Sequence, residues 1–325
     1  MAFLRRLGRA AAALVLAGGL AVVAHADYPA RPIRILSPNP AASVPSVLLR
    51  SVTAIAGPDL GGAFVIENKP GGNTFIAMIA AVNAAADGYT LVQTTSATDV
   101  LHPILYSKLP YDPDKLTPLA MLGSSPYVLI VPPQLNVDSV AALVQLVKAR
   151  PGAYNFGSAG VGTGIHLLGA KFAQDAGLQM EHVQFAGSAA AHLSMIRGEV
   201  HVYFDVLTSA LPRIRDGRVK ALAVGTDDRF PGLPEVPTMR ESGFPGYDMT
   251  AWYALQAPRG TPESVLGRLG DAVNKALADG PTRAQYAAMG MLLGPPGSPQ
   301  DMARRIAADR AAWTPVVKNL NLSLD

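Results

Sequence analysis

The sequence predicts an α/β protein built as two lobes, and three observations carry that reading. Apolar, β-branched runs alternate with stretches of period near 3.6, the pattern of parallel sheets covered by helices. Once an N-terminal export segment of 26 residues is set aside, the remainder of the 325-residue chain is long for one core and comfortable for two. Two short segments, Ala120–Pro126 and Val224–Asp227, read as crossings between lobes. On that reading residues 27–122 plus 226–325 form a discontinuous lobe 1, and residues 123–225 form lobe 2.

The N-terminus has the order of a secretory signal. Arg5, Arg6 and Arg9 precede an apolar run from Ala10 to Ala24 that ends in Ala24-His25-Ala26, so cleavage is expected after Ala26. The run is short for a bilayer, and no later stretch approaches about 18 uninterrupted apolar residues. The chain has no cysteine, which leaves nothing to carry a lipid anchor and no disulfide for an oxidising compartment. The full chain has 27 Lys+Arg against 24 Asp+Glu, and three arginines depart with the signal, so the mature chain is formally neutral at 24 against 24. That balance offers no case for nucleic acid or an anionic membrane surface.

Along the chain, strands are expected at Ile33–Leu36, Phe64–Ile66, Tyr89–Val92 and Tyr127–Val131. A helix follows through Val140, Leu143, Val144 and Val147. Next comes the stretch Tyr154–His166, read as a short strand, a glycine-rich loop and the start of an apolar-periodic helix. Further strands are expected at His182–Phe185, His201–Phe204 and Ala221–Val224. Thr261-Pro262-Glu263 and Ser298-Pro299 each place a hydroxyl before a proline at a helix start, a capping pattern. The Pro-rich connections 106–118 and 230–245 carry apolar and aromatic anchors, so ordered surface loops are expected there.

The loop Gly157-Ser-Ala-Gly-Val-Gly-Thr-Gly164 is the segment most suited to chemistry. Such a loop aims unpaired N–H groups at one spot, and the positive end of the following helix favours an anion, a carboxylate being the simplest guest. A plain structural turn is the alternative. A dinucleotide site fits poorly, because the spacing is G-x-G-x-G and Glu181 precedes the next strand instead of ending it. No cofactor is expected. Hydrolase chemistry lacks a G-x-S-x-G elbow, leaving only Ser158 or Ser96 with a distant histidine. Histidines 102, 166, 182, 192 and 201 lack metal-ligand spacing; His102 and His166 follow polar loop segments and are the two of interest. Tyr127, Phe204, Trp252 and Tyr253 sit on apolar runs where core packing is the default, with Trp252-Tyr253 the pair best placed to reach a cleft. Asp205 ends a strand, the edge at which open α/β sheets bind ligands, although a turn or capping carboxylate fits equally.

A series of segments then resembles one family in order: Tyr28-Pro-Ala-Arg-Pro-Ile33, Glu67-Asn-Lys-Pro-Gly-Gly72, Asp87-Gly-Tyr-Thr-Leu91, Leu105–Pro113, the loop Asn155–His166, Phe204-Asp205, Ser209-Ala-Leu-Pro212, Val236-Pro-Thr238, Pro245-Gly-Tyr247 and Ala257–Pro262. The chain resembles the periplasmic substrate-binding proteins of tripartite tricarboxylate transporters, the TctC-like or Bug family. The resemblance implies a type II periplasmic binding fold with the ligand cleft between lobes. It implies that backbone amides of two facing loops, helped by ordered water, hold a small organic carboxylate. The second loop corresponds to Ser158, Ala159, Gly160, Gly162 and Thr163, with His166 behind it. The implied partners are the inner-membrane permease subunits of such a transporter. The implied location is the periplasm.

The first loop departs from the family's Phe-x-x-Gly-Gly-x-x-Asp pattern and reads Asn39-Pro-Ala-Ala-Ser-Val-Pro-Ser46, placing Ala42, Ser43 and Ser46 where the glycines and the acid stand. Hydroxyls of Ser43 and Ser46 are expected to replace lost amides. Ala186 stands where the family commonly has a basic residue, which weakens steering of a dianion. These changes favour a monocarboxylate or aromatic carboxylate over a citrate-like ligand. Ser96 and Asp205 complete the ligand-binding candidates. The competing readings are a receptor feeding a sensor kinase and a family member that has lost its ligand.

Overall fold

The computed structural model describes residues 28–294 and 297–324. The predicted signal and its cleavage point after Ala26 lie outside the described residues. Tyr28–Ala30 belong to a separate N-terminal unit, carry no helix or strand, and precede the body formed by Arg31–Asp325.

Nine strands run in chain order: β1 (Ile33–Ser37), β2 (Phe64–Asn68), β3 (Thr90–Thr95), β4 (Leu116–Val131), β5 (Asn155–Ser158), β6 (Glu181–Gln184), β7 (Val202–Val206), β8 (Lys220–Val224) and β9 (Thr250–Pro258). The helices are α1 (Val44–Leu60), α2 (Phe75–Val82), α3 (His102–Leu105), α4 (Val140–Lys148), α5 (Gly164–Asp175), α6 (Ser188–Ile196), α7 (Leu207–Arg215), α8 (Glu263–Ala278), α9 (Gly280–Ala288) and α10 (Pro299–Asn319). The alternation expected from the sequence is present, with β9 and the N-terminal half of β4 as additional strands.

The strands join in the order β2-β1-β3-β9-β4-β7-β5-β6, with β8 on β4. Parallel pairing holds for β1 with β2 and β3, and for β5 with β6 and β7. Pairing around β4 and β9 is antiparallel, so the sheet is mixed and not wholly parallel as the alternation alone suggests. Those two strands carry the chain between the halves of the sheet. β4 pairs with β9 up to Pro126–Thr250 and with β7 from Tyr127–Val206 onward. Pro126 has no N–H to give a ladder, which suits the point of exchange.

The segment Ala120–Pro126 thus lies within a continuous strand. Beyond β8, Val224 N–H donates to Pro237 O and Met239 N–H to Val224 O, and Phe244 and Tyr247 pack on the Phe172–Phe204 cluster. Phe230, Leu233, Val236 and Met239 are buried in the same core as β7 and α5, which accounts for the apolar anchors in that loop. A smaller core under α2 joins Leu36, Met78, Val92 and Tyr111.

Both C-terminal helices anticipated from hydroxyl-proline pairs form, by different means. Ser298 makes a full capping box with Asp301 at the start of α10. Thr261 does not cap α8; its hydroxyl donates to Pro258 O at 2.8 Å, and Pro262 occupies the capping position. α10 ties the halves together, since Arg310 Nε donates to Asp99 O at 2.8 Å while Trp313, Val316 and Val317 enter the core shared with β7 and α5. Trp252 of β9 is fully buried and donates from Nε1 to Asp309 Oδ2 of α10 at 2.6 Å, and Arg305 holds the other carboxylate oxygen at 2.8 Å. Removing a donor from a largely buried carboxylate leaves the acceptor short of a partner. Trp252→Phe is therefore expected to lower the unfolding free energy by about 1–3 kcal/mol in urea denaturation, with the secondary structure unchanged by circular dichroism.

Candidate functional site

A cavity of about 220 Å³ opens where the sheet changes partners. The first half of the fold supplies Asn39, Asn73 and Thr74, the turn Thr95-Ser96-Ala97, and His102. The second half supplies Tyr127, Gly162, Thr163, Gly164, Ile165 and Val206, and β9 adds Trp252 and Tyr253. Larger grooves of about 630 and 680 Å³ lie elsewhere on the molecule, yet neither gathers the helix starts that converge here.

The glycine-rich loop is built as an anion loop would be. Gly160 and Gly162 have φ of 135° and 78°. Thr163 caps α5 by accepting from His166 N–H at 3.2 Å, and its own hydroxyl donates to Gly160 O at 2.7 Å. The cap leaves Gly164 and Ile165, the first two residues of α5, with N–H groups that no intrahelical carbonyl can accept. Both line the cavity, at the positive end of the helix. Gly164 is required by a close approach: a Cβ there would stand 2.1 Å from Tyr127 Oη. Burial pushes the Tyr127 phenol well above its usual value, so it stays a neutral donor beside the helix start. Burial and then the Asp205 charge likewise push the Tyr253 phenol up to about 12.

The rear of the loop is braced by imidazoles. Gly162 N–H donates to His166 Nδ1 at 3.3 Å, and the His166 and His182 rings lie 4.2 Å apart with Phe156 stacked against both. Burial, then the neighbouring His182, lowers His166 to about 4, so the ring is neutral at neutral pH and remains an acceptor for the loop. His182 Nε2 meets Ser158 Oγ at 2.7 Å, and that oxygen accepts from Gly160 N–H at 3.2 Å. A serine–histidine contact is what a nucleophile needs, but Ser158 is wholly buried and supports the loop.

Of the candidates read from sequence, Ser96, Gly162 and Thr163 line the cavity. Ser158, Gly160 and His166 hold its loop from behind, and Ala159 packs on the main core. Asp205 lies one residue from the cavity-lining Val206, buried in β7. Its carboxylate accepts from Ser188 Oγ and Val206 N–H, both at 2.8 Å, and pairs with His192 Nε2 at 2.6 Å. In the first loop Ala42 is exposed on a turn, Ser43 Oγ donates to Pro40 O at 2.6 Å, and Ser46 is buried against Ser37 Oγ and Asn68 Nδ2. These hydroxyls are spent on the loop's own path, and Asn39 is the residue of that loop that lines the cavity. Asn73, Thr74, Thr95 and Tyr127 were not read as site residues from sequence. The available signal was Gly71-Gly-Asn-Thr74, a turn composition set directly before an apolar helix.

No lysine, arginine, aspartate or glutamate lines the cavity among the described residues. His102 carries no charge there either: burial lowers it to about 4, and Nδ1 meets Tyr111 Oη, whose own proton goes to Thr98 O. The cavity thus offers neutral donors and helix ends in place of formal cations.

A model of the tripartite tricarboxylate transporter family receptor matches residues 48–322. The chain belongs to that family. BugT of Bordetella pertussis is 32% identical over 314 residues, covering 95% of this chain and 96% of BugT. R. palustris Rpa4515 with adipate is 31% identical with a TM-score of 0.84, over 91% of this chain and 99% of that one. MatC from Rhodopseudomonas palustris with bound malate is 30% identical with a TM-score of 0.79, over 89% and 100%. The fold is accordingly the two-lobed α/β fold of periplasmic binding proteins, and the family consists of binding proteins.

The turn that forms the cavity floor carries a titration of its own. Asp99, buried directly behind Thr95-Ser96-Ala97, is pushed by burial from near 3.8 up to about 7, against hydrogen bonds from Thr94, Thr98 and Gln256 and the charge of Arg310. An acid with a raised folded value holds its proton in the native state between those limits, so its stabilising contribution is lost as pH rises from about 4 to about 7. Asp99→Asn removes the penalty. The variant is expected to be more stable than the unsubstituted protein at pH 8, by up to about 4 kcal/mol, and to match it near pH 4 in parallel thermal melts.

Proposed function

We propose that this chain is the periplasmic receptor of a tripartite tricarboxylate-type transporter, exported by a signal cleaved after Ala26. It captures a small organic carboxylate and hands it to inner-membrane permease subunits. The observation that carries the reading is the pair of unengaged N–H groups at Gly164 and Ile165, set beside the Tyr127 hydroxyl in one cavity, in a chain similar to Rpa4515, solved with adipate, and to MatC, solved with bound malate.

The ligand's carboxylate sits at the start of α5, held by neutral donors. With no cation lining the cavity, each further ionised group must be desolvated without a counter-charge, so a trianion is the least suited guest. The cavity is also smaller than the roughly 300 Å³ at which pockets for drug-sized molecules begin. Both points favour small mono- and dicarboxylates. No proton chemistry is required of the site, and the protein acts as a non-enzymatic receptor. We place lobe 1 at residues 31–126 plus 250–324 and lobe 2 at 127–249, because β4 exchanges partners after Pro126 and the segment up to Met249 packs with β8 and α5.

A thermal-shift screen of the chain from Asp27 onward tests this against mono-, di-, tri- and aromatic carboxylates, with amino acids included. A ligand at 100 times its dissociation constant stabilises by about 2.7 kcal/mol, a rise of a few degrees. A rise with small mono- or dicarboxylates and none with citrate is expected; a panel without any rise overturns the reading. Tyr127→Phe removes one donor to the carboxylate and is expected to weaken binding by roughly tenfold or more in calorimetry.

A further inference from the structure

Beyond α10 the chain reads Leu320-Asn-Leu-Ser-Leu324, a period of two in which the leucines are half-buried on the main core while Asn321 and Ser323 are exposed. Asn321, at φ 51°, takes the left-handed turn that ends the helix. The segment is then tied at both ends, once to each half of the fold. At its start Asn319 O accepts from Gln174 Nε2 of α5 at 3.3 Å; at its end Leu324 N–H donates to Leu105 O at 2.8 Å. Leu105 closes α3, the helix that carries His102 of the cavity, and a last-turn carbonyl has no partner within its own helix.

The Leu324 side chain lies against the glycine-rich loop. A Cβ on Gly162 would overlap it and would stand 3.2 Å from Leu105 Cδ1. Leu105, Gly162 and Leu324 thus meet at one point, at the edge of the cavity that Gly162 lines. Glycine is required at 162 twice over, by a φ of 78° and by this close approach. Leu105 comes from the first half and Gly162 from the second, and a guest in the cavity touches both halves. Parting them must break the Leu324–Leu105 hydrogen bond, draw Leu324 off Gly162 or release Gln174. An apolar side chain seated between two moving parts is buried only while they stay together.

We propose that Leu320–Leu324 is a strap across the seam and that Leu324 is a positioning residue, holding Gly162, and with it the start of α5, against the first half while a carboxylate is bound. This rests on the receptor reading, which sets the carboxylate at the start of α5. Loosening the strap widens the resting separation of the halves and hastens escape of the guest, while the groups that the guest meets stay the same.

The chain has no cysteine, so the separation can be measured cleanly. In the chain from Asp27 onward, Arg150→Cys just after α4 and Arg268→Cys on α8, both exposed, place one spin label in each half, and pulsed electron–electron resonance reads the distance between them. The comparison is between Leu324, Leu324→Ala and Leu324→Met, with thermal melts and with calorimetry against acetate, succinate and citrate. In Leu324→Ala the ligand-free distances are expected to move to longer values. Whichever of the three acids binds the unsubstituted chain is expected to bind it about five- to tenfold more weakly, with the melting temperature lowered by no more than about 2 °C. Leu324→Met fills the same space and is expected to restore distance and affinity. Unchanged distances in Leu324→Ala overturn the assignment, as does a shift in distance without weaker binding; both leave the receptor reading standing. A clearly lowered melting temperature in both variants shows plain packing and also overturns it. Failure of the unsubstituted chain to bind any of the three acids overturns it as well, and the wider carboxylate screen then decides whether the receptor reading falls with it.

Discussion

The molecule depends on one strand serving both halves of its sheet. β4 runs for 16 residues without a break, gives its first part to β9 and its last part to β7 and β8, and changes over between Pro126 and Tyr127. A strand can do this because its two edges are independent and because proline withdraws a donor where the exchange occurs. Without such continuity the two halves would share only loops and the α10 strap. With it, their spacing is set by covalent geometry, and any bending must pass through β4, β9 and the segment before Thr250.

The cavity lies at that seam for the same reason. Tyr127 is the first residue to pair with β7, and its phenol reaches the start of α5, where glycine alone leaves room. Trp252 and Tyr253 come from the partner strand β9, and the 95–97 turn and the start of α2 close the opposite side. The cavity is therefore mostly a meeting of element ends: ends of strands and beginnings of helices, where backbone donors are left over. Such a cavity offers donors to an anion without a formal positive charge, and any selectivity it exerts must come from geometry.

Much of this was legible in the sequence. The alternation gave the layers, and the run from Gly157 to Gly164 announced a loop feeding a helix start, which is how it folds. β9 escaped because Thr250–Pro258 is a single apolar run with no helix to set off its period, and the extension of β4 escaped because Pro118 and Pro126 argue against a strand unless it is bulged or shifting partners. Among the residues that line the cavity, Gly162 and Thr163 announce themselves in sequence by backbone chemistry, whereas those brought in by tertiary approach do not. Tyr127 looks like core because it is core on every side but one. Thr74 offers no sign in sequence, since nothing local says that a threonine will be held at positive φ. Ser43 and Ser46 show the converse: a hydroxyl near a loop is as ready to bond its own backbone as a ligand, and here Pro40 O accepts from Ser43 while Asn68 donates to Ser46.

One contact at the far end of the chain bears on how the site comes into being. Leu324 donates its N–H to Leu105 O at 2.8 Å, and a Cβ on Gly162 would stand 2.4 Å from its side chain. The glycine-rich loop spans residues 157–164, yet one wall of it rests on a leucine about 160 positions later in the chain. A chain made from its N-terminus presents both helix starts long before that leucine, so the loop lacks its backing until residue 324 is in place. A fusion appended after residue 324 would therefore sit beside that loop, at a place the linear map would suggest is remote from it.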